Sequence, residues 1–249
     1  MIPGSPDRPL PLRVRPLHLE TQESYWRRLS DENFEPVERV KSYATRLRKS
    51  QPDLTNYEAR RDVIEAFGGL QEGHFAKAIK NLTPHRNGEY CPHCVLGVDA
   101  PLLCRRCAQG RHVTQEPNLR TVCLKHRLWT GFTAAPIDQV TVGKSVLQSE
   151  RKLRRLIRRR RIDAVLIQKS RKLLLGGRQG SNADVEIFPD LVRLVQLLSS
   201  PGFTSQLLAP LLSFRAARKL LETQTTAVLT GTYPGLVEGL WSRYRPLIL

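Results

Sequence analysis

The sequence predicts a mainly α, modular protein, and three observations predict it. Apolar residues recur at three- and four-residue spacing through most of the chain, the period of a helix with one buried face. Proline and glycine cut these runs into short segments. All five cysteines fall between Cys91 and Cys123, which marks a small module set between helical segments. The expected order is an extended Pro/Arg-rich arm over 1–19, a helix-turn-helix-like bundle over 20–85, a small metal module over 86–135 and a C-terminal helical module over 136–249.

The first 19 residues hold Pro3, Pro6, Pro9, Pro11 and Pro16, and proline blocks helix, so this arm is extended. Its Arg8, Arg13 and Arg15 serve either as phosphate contacts or as a solvated tail. Glu23 to Asn33 places Trp26 and Leu29 on one helical face. Pro36 suits a first helical position, and Val37, Val40, Ala44 and Leu47 follow at helical spacing until Gln51-Pro52 ends the run. Asn56 to Phe67 carries Tyr57, Ile64 and Phe67 on one stripe, Gly68-Gly69 breaks it, and Phe75, Ile79 and Leu82 mark a short helix before Pro84. Two short helices hinged on glycine suit a helix-turn-helix, whose second helix enters the major groove. Lys77 and Lys80 are then candidate DNA contacts, with His74 beside them.

The cysteine stretch holds three half-sites: Cys91-Pro-His-Cys94, Cys104-Arg-Arg-Cys107 and Cys123-Leu-Lys-His126. A two-residue gap lets two side chains on one tight turn reach the same ion, and Zn²⁺ takes four such ligands in a tetrahedron. Cys104, Cys107, Cys123 and His126 form the preferred set, because their halves stand at near-finger spacing. Cys91 and Cys94 close an alternative site with Cys123 and His126, or a ribbon with Cys104 and Cys107; spacing alone does not settle the choice. A redox role is disfavoured by the absence of a thioredoxin-like strand-helix pattern. A catalytic zinc needs an open position and a placed carboxylate, and Glu116 is the only acid between Cys104 and His126. Leu128 to Phe132 is expected to cap the knuckle as a small apolar lid.

Forty Lys and Arg against 23 Asp and Glu give a net charge of +17, which points to an anionic partner, nucleic acid above all. Residues 145–172 read as one helix with eight cations in eleven residues, Arg151 to Arg161. Like charges at intrahelical spacing repel, and a phosphate backbone along the helix relieves the repulsion. Arg154, Arg155, Arg158 and Arg159 are the candidate contacts; the competing reading is a solvated face. Val142-Gly-Lys-Ser145 lacks the first glycine and the strand of a phosphate-binding loop. Asp184–Ser199, Phe203–Thr223 and Gly235–Tyr244 complete the helical set. The acids are scattered, so an enzyme and a small-molecule substrate are not expected. No run approaches 18 apolar residues and no secretory signal opens the chain, so a cytoplasmic protein without a membrane partner is expected.

Pro16-Leu-His-Leu-Glu20-Thr21, followed by Ser24-Tyr-Trp-Arg-Arg-Leu29, resembles the opening of TniQ proteins, transposition-associated targeting factors. Cys91-Pro-His-Cys94 and Cys123-Leu-Lys-His126 are similar to the two pieces of that family's zinc module, and the resemblance covers residues 10–130. His18 stands where glycine is usual, and Cys104-Arg-Arg-Cys107 is an addition. The resemblance implies a nucleoid-associated bacterial DNA-binding adaptor that helps select target sites in DNA transposition. Its implied partners are a transposition AAA ATPase or other transposon proteins. A stand-alone zinc-containing transcription regulator is the alternative.

Overall fold

The structure, a computed structural model, describes residues 8–75, 102–115, 120–131, 139–160, 162, 164–209 and 213–244. It is mainly helical, as the periodicity predicts. The chain divides into two compact units, Met1–Asn118 and Leu119–Leu249, so the division falls inside the stretch expected to form a single metal module.

The first unit is built on α1 (Gln22–Asn33), α2 (Arg39–Ser50) and α3 (Asn56–Gly68). Thr21 starts α1 by accepting a hydrogen bond from the Ser24 N–H. Thr55 and Glu58 form a reciprocal capping box at the start of α3, satisfying donors that the first turn leaves open. Gly69 ends α3 at a φ of 61°, where an added Cβ would also meet the Pro9 ring at 3.2 Å. Tyr25, Trp26 and Leu29 of α1 pack with Val40, Ala44 and Leu47 of α2 and with Val63, Ile64 and Phe67 of α3. Trp26, Leu29, Val40, Ala44, Leu47, Ile64 and Phe67 are positions picked out by helical spacing; Tyr25 and Val63 join them, whereas Val37 and Tyr57, expected on the same stripes, are exposed. Residues 8–17 of the expected arm hold neither helix nor strand, and they are clamped to the bundle. Leu10 is buried and its N–H donates to the Phe67 carbonyl at 2.8 Å, while Tyr25 Oη donates to the Val14 carbonyl at 2.9 Å. Arg8, Arg13 and Arg15 stay exposed. The expected helix after Gly69 lies outside the described residues beyond Phe75, and Lys77 and Lys80 with it.

The second unit opens with the antiparallel hairpin of β1 (Val122–Cys123) and β2 (Leu128–Trp129), in which Val122 faces Trp129 and Cys123 faces Leu128. It continues through α4 (Lys144–Arg160), α5 (Ala164–Leu175), α6 (Ser181–Leu198), α7 (Pro201–Leu207), α8 (Phe214–Val228) and α9 (Leu236–Tyr244). The single helix expected over 145–172 is two helices, separated around the buried Ile162. The helix expected over Phe203–Thr223 is also two. α7 ends at Leu207, and α8 starts afresh at Phe214 with the Ser213 hydroxyl accepting from the Ala216 N–H. The expected apolar lid is corrected as well. Trp129 is fully buried and meets the Phe188 ring edge-on at 5.0 Å, so it belongs to the helical core, while Phe132 lies outside the described residues. Burial of an indole removes roughly 150–250 Å² from water, worth about 4–6 kcal/mol, which outweighs any gain from a surface position. Asp190 of α6 is buried and accepts hydrogen bonds from the N–H groups of Thr230 and Gly231 and from the Tyr233 hydroxyl, fixing the loop between α8 and α9.

Candidate metal centre

Two short turns carry the ligand set. In the first, the Ala108 N–H donates to the Cys104 carbonyl at 2.9 Å and the Gly110 N–H to the Arg105 carbonyl at 2.8 Å. The chain then reverses through Gln109 and Gly110, both in the left-handed region. The Leu103 N–H closes the loop on the Val113 carbonyl at 2.8 Å, and Leu103, Ala108 and Val113 form a small apolar cluster beneath it. The second turn is the tip of the β1–β2 hairpin. Arg127 takes a left-handed φ of 54°, so Cys123 and His126 lie at the same end of the hairpin.

Cys104, Cys107, Cys123 and His126 come together with all four ligand atoms within 4.8 Å of one another. Cys123 Sγ lies 3.7 Å from His126 Nδ1. A tetrahedral ion with metal–sulfur bonds of about 2.3 Å spaces its ligand atoms about 3.8 Å apart, so closure on an ion needs shifts of about one ångström at most. Cys104 is buried and the other three are half-buried, which limits water without sealing the site. The group can hold a metal ion. Its donors, three sulfurs and an imidazole, are soft to borderline and suit zinc among the common divalent ions. The set is also the one preferred on spacing. Cys91 and Cys94, the alternative ligands, lie outside the described residues.

A buried polar network holds the second turn against α4. Glu150 is fully buried; the Thr121 hydroxyl donates to it at 2.9 Å and Arg154 Nε at 2.6 Å, while Arg154 Nη2 donates to the Val122 carbonyl at 2.8 Å. Burial pushes the Glu150 carboxyl up, against the lowering effect of Arg154 and Thr121. Arg154, expected as a DNA contact, has its guanidinium engaged internally, by Glu150 and a backbone carbonyl.

The other arginines of α4 are placed differently. Successive helical residues turn by about 100°, so Lys144, Arg151, Arg155, Arg158 and Arg159 share an arc of roughly 100°. All five are exposed, whereas Val146, Leu153 and Leu156 are buried. Among the described residues no carboxylate pairs with any of the five. Sequence reasoning missed a second basic face, on α2. Lys41, Arg46, Arg48 and Lys49 are exposed with Ser42 and Thr45 between them, opposite the buried Val40, Ala44 and Leu47. The available signal was the lack of any acid from Arg39 to Ser50.

Glu20, Ser24 and Arg28 form a polar cluster at the start of α1. Glu20 is buried and takes Arg28 in a bidentate pair, Nε and Nη2 each at 2.7 Å. The Ser24 hydroxyl and the Leu17 N–H also donate to the Glu20 carboxylate. Ser24 Oγ in turn accepts from the Thr114 N–H at 3.1 Å. Comparison with protein-family models, curated proteins and solved structures gave no match, so the functional reading rests on these residues and their chemistry.

Proposed function

We propose that this protein is a non-enzymatic, zinc-containing DNA-binding adaptor of TniQ type that helps select target sites in DNA transposition. The observation that carries the DNA reading is the exposed cationic stripe of α4, Lys144, Arg151, Arg155, Arg158 and Arg159, with no carboxylate paired to it among the described residues. At about 1.5 Å per residue the stripe runs roughly 22 Å, long enough to follow several phosphates of one strand. Such contacts position a protein on duplex DNA and carry no base preference. The basic face of α2 offers a further surface of the same chemistry. Four protein donors fill a tetrahedron and leave no open position, so the zinc is assigned a structural role, supplying folding free energy to the two turns. The adaptor role and the transposition partners come from the resemblance of Glu20, Thr21, Ser24, Arg28 and the Cys/His pieces to TniQ proteins.

Titration of labelled duplexes at several salt concentrations tests the DNA reading. Four phosphate contacts give a log-log slope of about −3.6, and changing Arg155, Arg158 and Arg159 to Ala flattens it while weakening binding to all duplexes alike. Unchanged affinity and slope in that folded variant would refute it. Co-purification with an AAA ATPase encoded beside this gene supports the adaptor role, whereas dimeric binding to a dyad-symmetric operator marks a stand-alone regulator.

A further inference from the structure

The second unit carries an aromatic pair in a cationic setting that the duplex reading does not use. Phe214 opens α8 and is 43% exposed, the ring of a large apolar residue facing water. Trp241 of α9 stands edge-on to it, with ring centroids 6.1 Å apart and planes at 87°. Trp241 rests on the helical core and is itself half-buried, so it is anchored and only partly covered. Arg215, Arg218 and Lys219 follow Phe214 on α8 and are exposed, with Glu222 on the same helix. Arg218 also reaches across to Glu238 of α9 at 2.9 Å, which ties the two helices beside the rings.

We infer that the Phe214–Trp241 pair, with Arg215 and Lys219, is a stacking site for an unpaired nucleobase of single-stranded nucleic acid. An edge-on pair leaves a ring face open on which a flat heterocycle can lie. Every base has a π-face, and base–aromatic stacking combined with Arg and Lys contacts to the flanking phosphates is the chemistry of strand binding without sequence preference. A duplex keeps its base faces stacked on each other and offers them only at its ends. The site therefore takes the unpaired strand, DNA or RNA, and is independent of the α4 stripe.

The tryptophans make the test direct. Trp26 and Trp129 are fully buried, so Trp241 is the indole that a stacked base can quench. Oligo(dT) and oligo(rU) are titrated into the full chain, with a blunt hairpin duplex and inorganic polyphosphate as controls. The expected result is saturable quenching by a single strand and little by duplex or polyphosphate; equal or different responses to the two strands show whether the 2′-hydroxyl matters. Trp241→Phe abolishes the signal. Phe214→Leu, with an unchanged melting temperature, weakens strand binding about five- to hundredfold, the worth of one stacked base. Quenching survives the Arg155/Arg158/Arg159 triple change, which separates this site from the duplex surface. Absence of quenching by both single strands, or equal quenching by polyphosphate, overturns the inference whatever the duplex result. If Phe214→Leu unfolds, Arg215→Ala with Lys219→Ala replaces it, and undiminished strand affinity in that variant overturns it as well.

Discussion

Neighbouring arginines of α4 are predicted to fail in opposite ways when truncated. Arg154→Ala removes the cation from Glu150, which is fully buried and keeps only the Thr121 hydroxyl among its side-chain partners named above. Breaking a buried pair from one side costs about 3–5 kcal/mol, and Arg154 is 26% exposed at its side chain, which places this pair near the lower end. The Val122 carbonyl also loses its charged donor, for a total loss of about 3–4 kcal/mol. At 2–4 °C per kcal/mol for a chain of this size, the melting temperature falls by roughly 6–16 °C. The sign with pH follows from Glu150. Its folded-state pKa already lies above the ordinary 4.5, through burial, and losing Arg154 raises it further. A raised folded-state pKa gives stability that is present below 4.5 and lost as pH rises through the folded value. The deficit of the variant is therefore large at neutral pH and shrinks on acidification toward 4.5. Arg155→Ala, one residue on, is exposed and should leave stability within about 0.5 kcal/mol while reducing the salt slope of duplex binding by about 0.9. Thermal melts across pH, paired with salt titrations, read both. An Arg154→Ala protein that melts with the wild type, or an Arg155→Ala protein that melts as far below it as Arg154→Ala, would refute the division of labour.

Three further outcomes follow from named contacts. Cys123→Ser should release the bound metal ion and expose the two turns to proteolysis, and elemental analysis showing no zinc in the wild-type protein would remove the metal assignment. Arg28→Ala strands the buried Glu20 and should destabilise the first unit by about 3–5 kcal/mol, as measured by amide exchange in α1 and α3; exchange at wild-type rates would count against it. Asp190→Asn should loosen the loop at Thr230. Burial opposes ionisation of Asp190, but donors from Gly231, Tyr233 and Thr230 hold its pKa below the ordinary 3.8. A depressed pKa gives stability present above 3.8 and lost as pH falls through the folded value, so variant and wild type should converge in acid, and a pH-independent gap would contradict this.

The sequence by itself determined the helical class and most of the core positions of α1, α2 and α3, and it placed Cys104, Cys107, Cys123 and His126 first among the possible ligand sets. Each is a local matter. Helical period sorts apolar from polar positions within one element, and a two-residue gap places paired ligands on one turn. Tertiary structure alone decided what identical side chains do. Arg154 and Arg155 are indistinguishable by composition, yet one turns toward a buried carboxylate and the other toward water, because about 100° of helical rotation separates them and only the packing of α4 on the hairpin fixes the zero of that angle. Trp129 likewise looks the same as a cap or as a core residue until Phe188, 59 positions later, is brought against it. The aromatic pair of Phe214 and Trp241 joins residues from two helices, and no periodicity within either helix encodes that meeting. Contacts between distant positions depend on how whole elements pack, and that packing is set by the summed burial of many side chains rather than by any local pattern.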